Sequence, residues 1–286
     1  MERKKIKIKG VVQGVGFRPF VYRLAQRHRL MGYVRNATDG VDIEVEGKTD
    51  IIARFIELLD KQKPPAARID HIQTRTIRLR KSRRFVIKES KYSGGFTEIS
   101  PDIATCTSCR TEMFDPSDRR YQYPFINCTN CGPRYSIIIE TPYDRQRTSM
   151  RKFVMCPDCS REFIRVADRR FHAQPDCCSV CGPHYVLQGC DGVIKTKEPI
   201  TRSAALIKKG QIIAIKGIGG FHIGCDATNS RAVKRLRRLK NRPAKPFALM
   251  ANMKDILKIA RVGREERDVL MSPAAPIVLL RKKGSI

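Results

Sequence analysis

From residue 5 the chain alternates. Lys5-Ile-Lys-Ile-Lys-Gly-Val-Val12 places apolar residues at every second position, the pattern of a half-buried strand. At Phe17 the period changes: Phe17, Phe20, Val21 and Leu24 share one helical face, predicting a helix to Leu30 with Pro19 tolerated in its first turn. Gly32 to Gly47 reads as two strands joined by a turn at Asp39-Gly40. Ile51 to Leu59 is a second amphipathic helix, closed by Pro64-Pro65, and Ile69–Leu79 and Arg84–Lys88 are further strand-like stretches.

Periodicity returns near the C-terminal end. Gln211 to Lys216 is expected as a buried strand, followed by the glycine-rich Gly217–His222. Ser230 to Asn241 predicts a very basic helix with Val233, Leu236 and Leu239 as a thin apolar stripe. A helix at about 252–261 and a last strand at Pro276–Leu280 follow. Turn-forming residues at Tyr92–Phe96 and Ser100-Pro-Asp102 suggest one linker, and Gly189–Gly192 with Lys197-Glu-Pro199 a weaker joint. Three segments result, 1–90, 100–190 and 200–286. The first, in the order β-α-β-β-α-β, has the ferredoxin-like arrangement of an α+β domain.

Composition narrows the class. Apolar residues are 41% and charged residues 30% of the 286, a globular balance. No run approaches the roughly 18 apolar residues of a membrane span, and Ile6-Lys-Ile-Lys-Gly10 interrupts any signal-peptide core. A cytoplasmic protein without membrane partners is expected. The formal charge is +29, unevenly spread. Residues 1–90 hold 22 basic and 10 acidic residues and residues 201–286 hold 20 and 5, whereas 91–200 hold 15 and 13. The near-neutral middle counts against that segment as a grip for nucleic-acid phosphates.

That middle carries the metal signal. Cys106-x₂-Cys109-x₁₈-Cys128-x₂-Cys131 is followed by Cys156-x₂-Cys159-x₁₈-Cys178-x₂-Cys181, so adding 50 to each ligand of the first set gives the second. Asp118-Arg-Arg-Tyr121 repeats as Asp168-Arg-Arg-Phe171, and Cys131-Gly-Pro133 as Cys181-Gly-Pro183. Paired Cys-x-x-Cys knuckles make tetrahedral Cys₄ sites, so two structural Zn²⁺ are expected. Exchange of knuckles between the halves stays open. Cys177, Cys190 and Cys225 lie outside the pattern, and His172 and His184 are read as surface or packing residues.

Between the first strand and first helix lies a candidate anion site. Gly14 and Gly16 let the backbone amides of Gln13, Gly14, Val15, Gly16 and Phe17 turn to a common point, and the helix N-terminus and Arg18 add positive potential. Val12-Gln-Gly-Val-Gly-Phe-Arg18 and Asn36-Ala-Thr-Asp-Gly40 resemble the paired signatures of the acylphosphatase family. The resemblance implies that Arg18 and the loop hold an acyl phosphate and that Asn36 positions the attacking water.

Lys216-Gly-Ile-Gly-Gly-Phe-His-Ile-Gly-Cys-Asp226 and Lys240-Asn-Arg-Pro-Ala-Lys-Pro-Phe-Ala-Leu-Met250 resemble the start of a YrdC-like α/β nucleotide-binding domain. This implies Lys240 and Arg242 as phosphate contacts, with Lys216 beside them. The order of segments resembles the HypF-type carbamoyltransferases of hydrogenase maturation, with the YrdC-like domain truncated. The expected chemistry is hydrolysis of carbamoyl phosphate by the first domain. The resemblance further implies ATP as substrate of a complete YrdC-like domain, and a maturation partner protein that accepts the carbamoyl group in the full-length family. The chain itself is expected to be too short for carbamoyl transfer, as a fragment or split-gene product. The rival readings are a zinc-containing RNA-binding module, motivated by the charge, and an inactive fragment. Against RNA stand the near-neutral zinc segment and the absence of Trp.

Overall fold

In the computed structural model, which describes residues 1–92, 94–95 and 97–284, the alternating segment becomes strand β1 (Glu2–Val11). Helix α1 (Phe17–Arg27), strands β2 (Met31–Ala37) and β3 (Gly40–Gly47), helix α2 (Thr49–Lys61) and strands β4 (Arg68–Ile77) and β5 (Phe85–Ile87) follow. The β2–β3 turn falls on Thr38-Asp39, one residue before the expected place. Helix α1 stops at Arg27, short of Leu30, because Arg29 turns into the left-handed region (φ 52°). The sheet order is β4-β1-β3-β2-β5, antiparallel except for the parallel β2–β5 pair.

The period-2 pattern sorts the two faces of this sheet. Ile6 and Ile8 of β1, with Val41, Ile43 and Val45 of β3, pack against Phe17, Val21 and Leu24 of α1 and Ile52, Phe55 and Leu59 of α2. Each such burial is worth roughly 1.5–3 kcal/mol. Register places Ile6 opposite Ile43 and Lys7 opposite Asp42, so the polar positions meet as ion pairs on the other face. Arg3 pairs with Glu44 and Glu46, Lys7 with Asp39 and Asp42, and Arg35 with Asp42.

The cysteine-rich segment belongs with this sheet to one compact unit, Met1–Gly182. Helices α3 (Thr107–Phe114) and α4 (Pro157–Ile164) start directly after Cys106 and Cys156, one per repeat. Around them Tyr123, Ile126, Ile137, Met150 and Cys177 form a small core with the first thiolate set. Of the expected linker, Ser93 and Phe96 lie outside the described residues. Beyond them the chain returns to the loop between β1 and α1, where Ile99 bridges Gln13.

Residues Pro183–Ile286 form the second unit. It contains the hairpin β6 (Gln188–Gly189) and β7 (Gly192–Val193), helix α5 (Pro199–Lys208), the hairpin β8 (Ile213–Lys216) and β9 (Phe221–Gly224) and helix α6 (Ser230–Leu239). Helix α7 (Met253–Ile259), strand β10 (Ala260–Arg261), helix α8 (Arg264–Leu270) and strand β11 (Arg281–Lys282) complete it. Three expectations are corrected here. Strand β8 is largely exposed rather than buried, because it pairs only with β9 in a two-stranded sheet. On α6 the buried side chains are Ala232 and Leu236, while Leu239 is exposed at the last turn. Pro276–Leu280 is not a strand; pairing begins only at Arg281, opposite Arg261, and Ile277 and Leu279 are exposed. Apolar content signals a strand only where a neighbouring strand offers its hydrogen bonds.

Candidate active site and metal centres

The loop between β1 and α1 is built by its glycines. Gly14 (φ 72°) and Gly16 (φ 75°) take left-handed backbone, and Gly16 caps α1 with no side-chain acceptor on its amides and no acidic residue in its first turn. The end of α1 therefore keeps its positive potential. Arg18 stands one residue inside the helix, its side chain only 8% exposed.

Arg18 and Asn36 converge. An Arg18 Nη2 hydrogen is donated to the Tyr143 carbonyl at 3.0 Å, and Asn36 Nδ2 donates to that same carbonyl at 3.1 Å. Arg18 Nη1 pairs with Asp144 Oδ1 at 2.6 Å. Asn36 Oδ1 is buried and takes no hydrogen bond from the described residues. The Gln13 side chain is spent on structure: Nε2 donates to the Ala37 and Gly40 carbonyls at 2.7 and 2.8 Å, and Oε1 accepts from the Tyr143 amide at 2.8 Å. Only its backbone belongs to the loop. Val15 and Phe17 are buried in the domain core, where they anchor the loop from below.

The walls of this cradle come from the cysteine-rich segment. A pocket of about 20 Å³, on the scale of bound water, lies between Gly14, Arg18, Asn36, Arg134, Tyr143 and His172. Arg134 is fully buried; Nε donates to the Gly14 carbonyl, and its other nitrogens donate to the carbonyls of Cys128, Thr129, Cys131 and Pro133. One guanidinium thus ties the Cys128–Cys131 knuckle of the first thiolate cluster to the loop between β1 and α1. A β-carbon on Gly16 would meet Thr129 Cγ2 at 2.7 Å, so the two segments touch there as well. His172 packs on Phe163 and Phe171, and burial together with the Arg18 charge pushes its pKa down to about 4, leaving a neutral imidazole.

None of Arg134, Tyr143, Asp144 and His172 was predicted as part of this site. The signal lay in the repeat itself. Arg134 stands where the second repeat has His184, and His172 where the first has Gln122. Gln122 and His172 share a left-handed φ (53° and 55°) and donate their amides to Met113 and Phe163 respectively, so the backbone repeats while the side chains diverge.

The thiolates fit zinc, with all pairing inside each repeat. In the first cluster the sulfur separations are 3.8 Å (Cys106–Cys128), 3.7 Å (Cys128–Cys131) and 3.6 Å (Cys109–Cys131). In the second they are 3.7 Å (Cys156–Cys178), 3.9 Å (Cys178–Cys181) and 3.6 Å (Cys159–Cys181). A tetrahedron with Zn–S bonds of about 2.3 Å has edges of about 3.8 Å. Cys177 points away to the Tyr123 hydroxyl and is not a ligand of either set.

The repeated Asp-Arg-Arg motif crosses between the clusters. Arg119 donates to Cys159 Sγ at 3.1 Å and pairs with Glu162 on α4; Arg169 donates to Cys109 Sγ at 3.4 Å and pairs with Glu112 on α3. Each repeat supplies the cation that offsets the other's thiolate charge.

In the second unit, Lys216 lies over the Phe221 ring on the exposed hairpin. Lys240 caps the end of α6, and Arg242 donates to the Lys245 and Pro246 carbonyls beside Phe247. Arg242 is therefore partly spent on holding its own loop. No helix of the described residues is long and apolar enough to cross a membrane.

Fold and site together define an acylphosphatase-type domain joined to a duplicated Cys₄ zinc finger. Family models agree: acylphosphatase over residues 4–87, the HypF finger over 105–138 and 155–188, and the family described as telomere recombination, which covers Sua5, YciO and YrdC, over 205–286. The chain belongs to the HypF carbamoyltransferase family, as its N-terminal region. It is 51% identical to carbamoyltransferase HypF of Synechocystis sp., over 98% of this chain and 37% of that protein. Acylphosphatase of Methanospirillum hungatei is 39% identical over 80 residues, 88% of its length. The crystal structure of a full-length HypF in the phosphate- and nucleotide-bound form superposes with a TM-score of 0.94 at 47% identity, covering all of this chain and 38% of that one. The chain thus spans little more than a third of the length of these HypF relatives.

Proposed function

We propose that this chain hydrolyses acyl phosphates, carbamoyl phosphate above all, at the cradle formed by Arg18, Asn36 and the amides of residues 13–17. The observation that carries the reading is the convergence of the Arg18 guanidinium and the Asn36 amide on one oxygen, beside an uncapped helix N-terminus. Loop amides and Arg18 bind the phosphoryl oxygens and offset the charge that builds on them. Asn36, with Nδ2 held by the Tyr143 carbonyl, keeps Oδ1 as the acceptor that orients the attacking water. The water oxygen bonds to phosphorus as the phosphorus–acyl oxygen bond breaks. Carbamate leaves with the electron pair, and the water's proton passes to phosphate or solvent. The zinc sites hold the fold and take no step.

For the full-length family the same reading holds carbamoyl transfer, with ATP as substrate of a complete YrdC-like domain and a hydrogenase maturation protein as acceptor. Within this reading residues 1–90, 100–190 and 200–286 are the acylphosphatase-like, zinc-binding and partial YrdC-like domains, and Lys216, Lys240 and Arg242 face the nucleotide. The similar full-length HypF structure is of a phosphate- and nucleotide-bound form, which supports both ligand classes. Carbamoyl phosphate turnover with Asn36→Ala tests the water-positioning role. The expected result is a loss of at least tenfold in kcat with KM little changed; an unaltered kcat contradicts it.

A further inference from the structure

The acyl-phosphate site is built by two segments rather than one. The Arg18 guanidinium donates to groups 125 and 126 residues further along the chain: the Tyr143 carbonyl at 3.0 Å and the Asp144 carboxylate at 2.6 Å. That segment is firmly anchored. The Tyr143 ring is 2% exposed, and its amide donates to Gln13. Arg145, which follows Asp144, donates its amide to Gln174 Oε1 and its guanidinium to the carbonyls of Gln174, Asp176 and Phe153, all between 2.7 and 2.8 Å. A guanidinium on a flexible stem needs two fixed acceptors to present one chosen edge, and each prealigned N–H spares rotamer entropy when an anion binds. Here the two acceptors occupy Nη1 and Nη2 from the side of the cysteine-rich segment and leave further donors for the loop.

We propose that Asp144 is a positioning residue for acyl-phosphate hydrolysis: its carboxylate, with the Tyr143 carbonyl, fixes the Arg18 guanidinium against the phosphate loop. This rests on the hydrolytic reading above. It makes the zinc segment part of the catalytic assembly without any chemistry at the metal.

The test is carbamoyl phosphate hydrolysis by the whole chain with Asp144→Ala, Asp144→Asn, Arg18→Ala and the Arg18→Ala/Asp144→Ala double variant. Asp144 is about a quarter exposed, and zinc content and thermal unfolding of each variant check that the fold is kept. Asp144→Ala is expected to lower kcat/KM about tenfold, with most of the loss in kcat. Asn, whose carbonyl still accepts from Nη1, recovers part of it. In the Arg18→Ala background the Asp144 substitution costs nothing more, because its effect runs through that one side chain. Unchanged or raised kcat/KM in Asp144→Ala overturns the proposal, as does an additive loss in the double variant. Absence of hydrolysis by the unaltered chain instead overturns the hydrolytic reading and takes this proposal with it.

Discussion

A half-buried histidine beside an arginine is held neutral by desolvation and by the arginine's charge. For His172 the folded pKa, about 4, lies below the ordinary 6.5, so the unfolded chain binds the proton first as pH falls. The contribution to stability is complete above pH 6.5 and is lost as pH drops towards 4. His172→Gln, which copies Gln122 of the other repeat, removes this titration. Thermal unfolding followed from pH 7 to 4 is expected to show a shallower decline in the variant than in the parent chain; parallel curves contradict the assignment. Arg18 and Asn36 were legible from sequence because their motifs are short and local. Tyr143 and Asp144 were not, since nothing within a few residues of either marks a contact 107 to 126 residues away.

Among the elements, strong local periodicity translated directly into structure. The alternation in β1 and the helical spacing of α2 appear with boundaries shifted by one to three residues, because each has a sheet or helix face to bury. The repeat spacing likewise placed both thiolate clusters, although knuckle pairing needed the sulfur positions. Weaker apolar runs in the second unit carried less information. Pro276–Leu280 has the composition of a strand but no partner strand among the described residues. The twin Asp-Arg-Arg motifs gain their meaning only from the exchange of arginines between repeats. Arg119→Ala is expected to speed zinc loss about tenfold from the second cluster, Cys156–Cys181, and to spare the first. Arg169→Ala should do the reverse. Chelator-driven release with mapping of the newly alkylated cysteines distinguishes the two; acceleration at the variant's own repeat contradicts the crossed arrangement.

At the scale of the whole molecule, the loop between β1 and α1 and the Cys128–Cys131 knuckle of the first zinc site are one mechanical piece. Arg134 joins the Gly14 carbonyl to four carbonyls of residues 128–133, and those carbonyls keep their places only while the knuckle is closed. Removal of zinc is therefore expected to abolish hydrolysis even though no metal touches the substrate, and restored zinc should return it. Activity that survives complete metal removal contradicts this coupling. The +29 charge is what remains after every acidic residue is counted, the sheet-face ion pairs included; it favours anionic ligands in general without selecting one.

The most direct test of the account is phosphate release from carbamoyl phosphate by the purified, zinc-loaded chain beside Arg18→Ala. The account predicts steady release by the parent chain and a loss of a hundredfold or more, about 2.7 kcal/mol of transition-state stabilisation, in the variant. Equal release by both, or none from the folded parent, would contradict it.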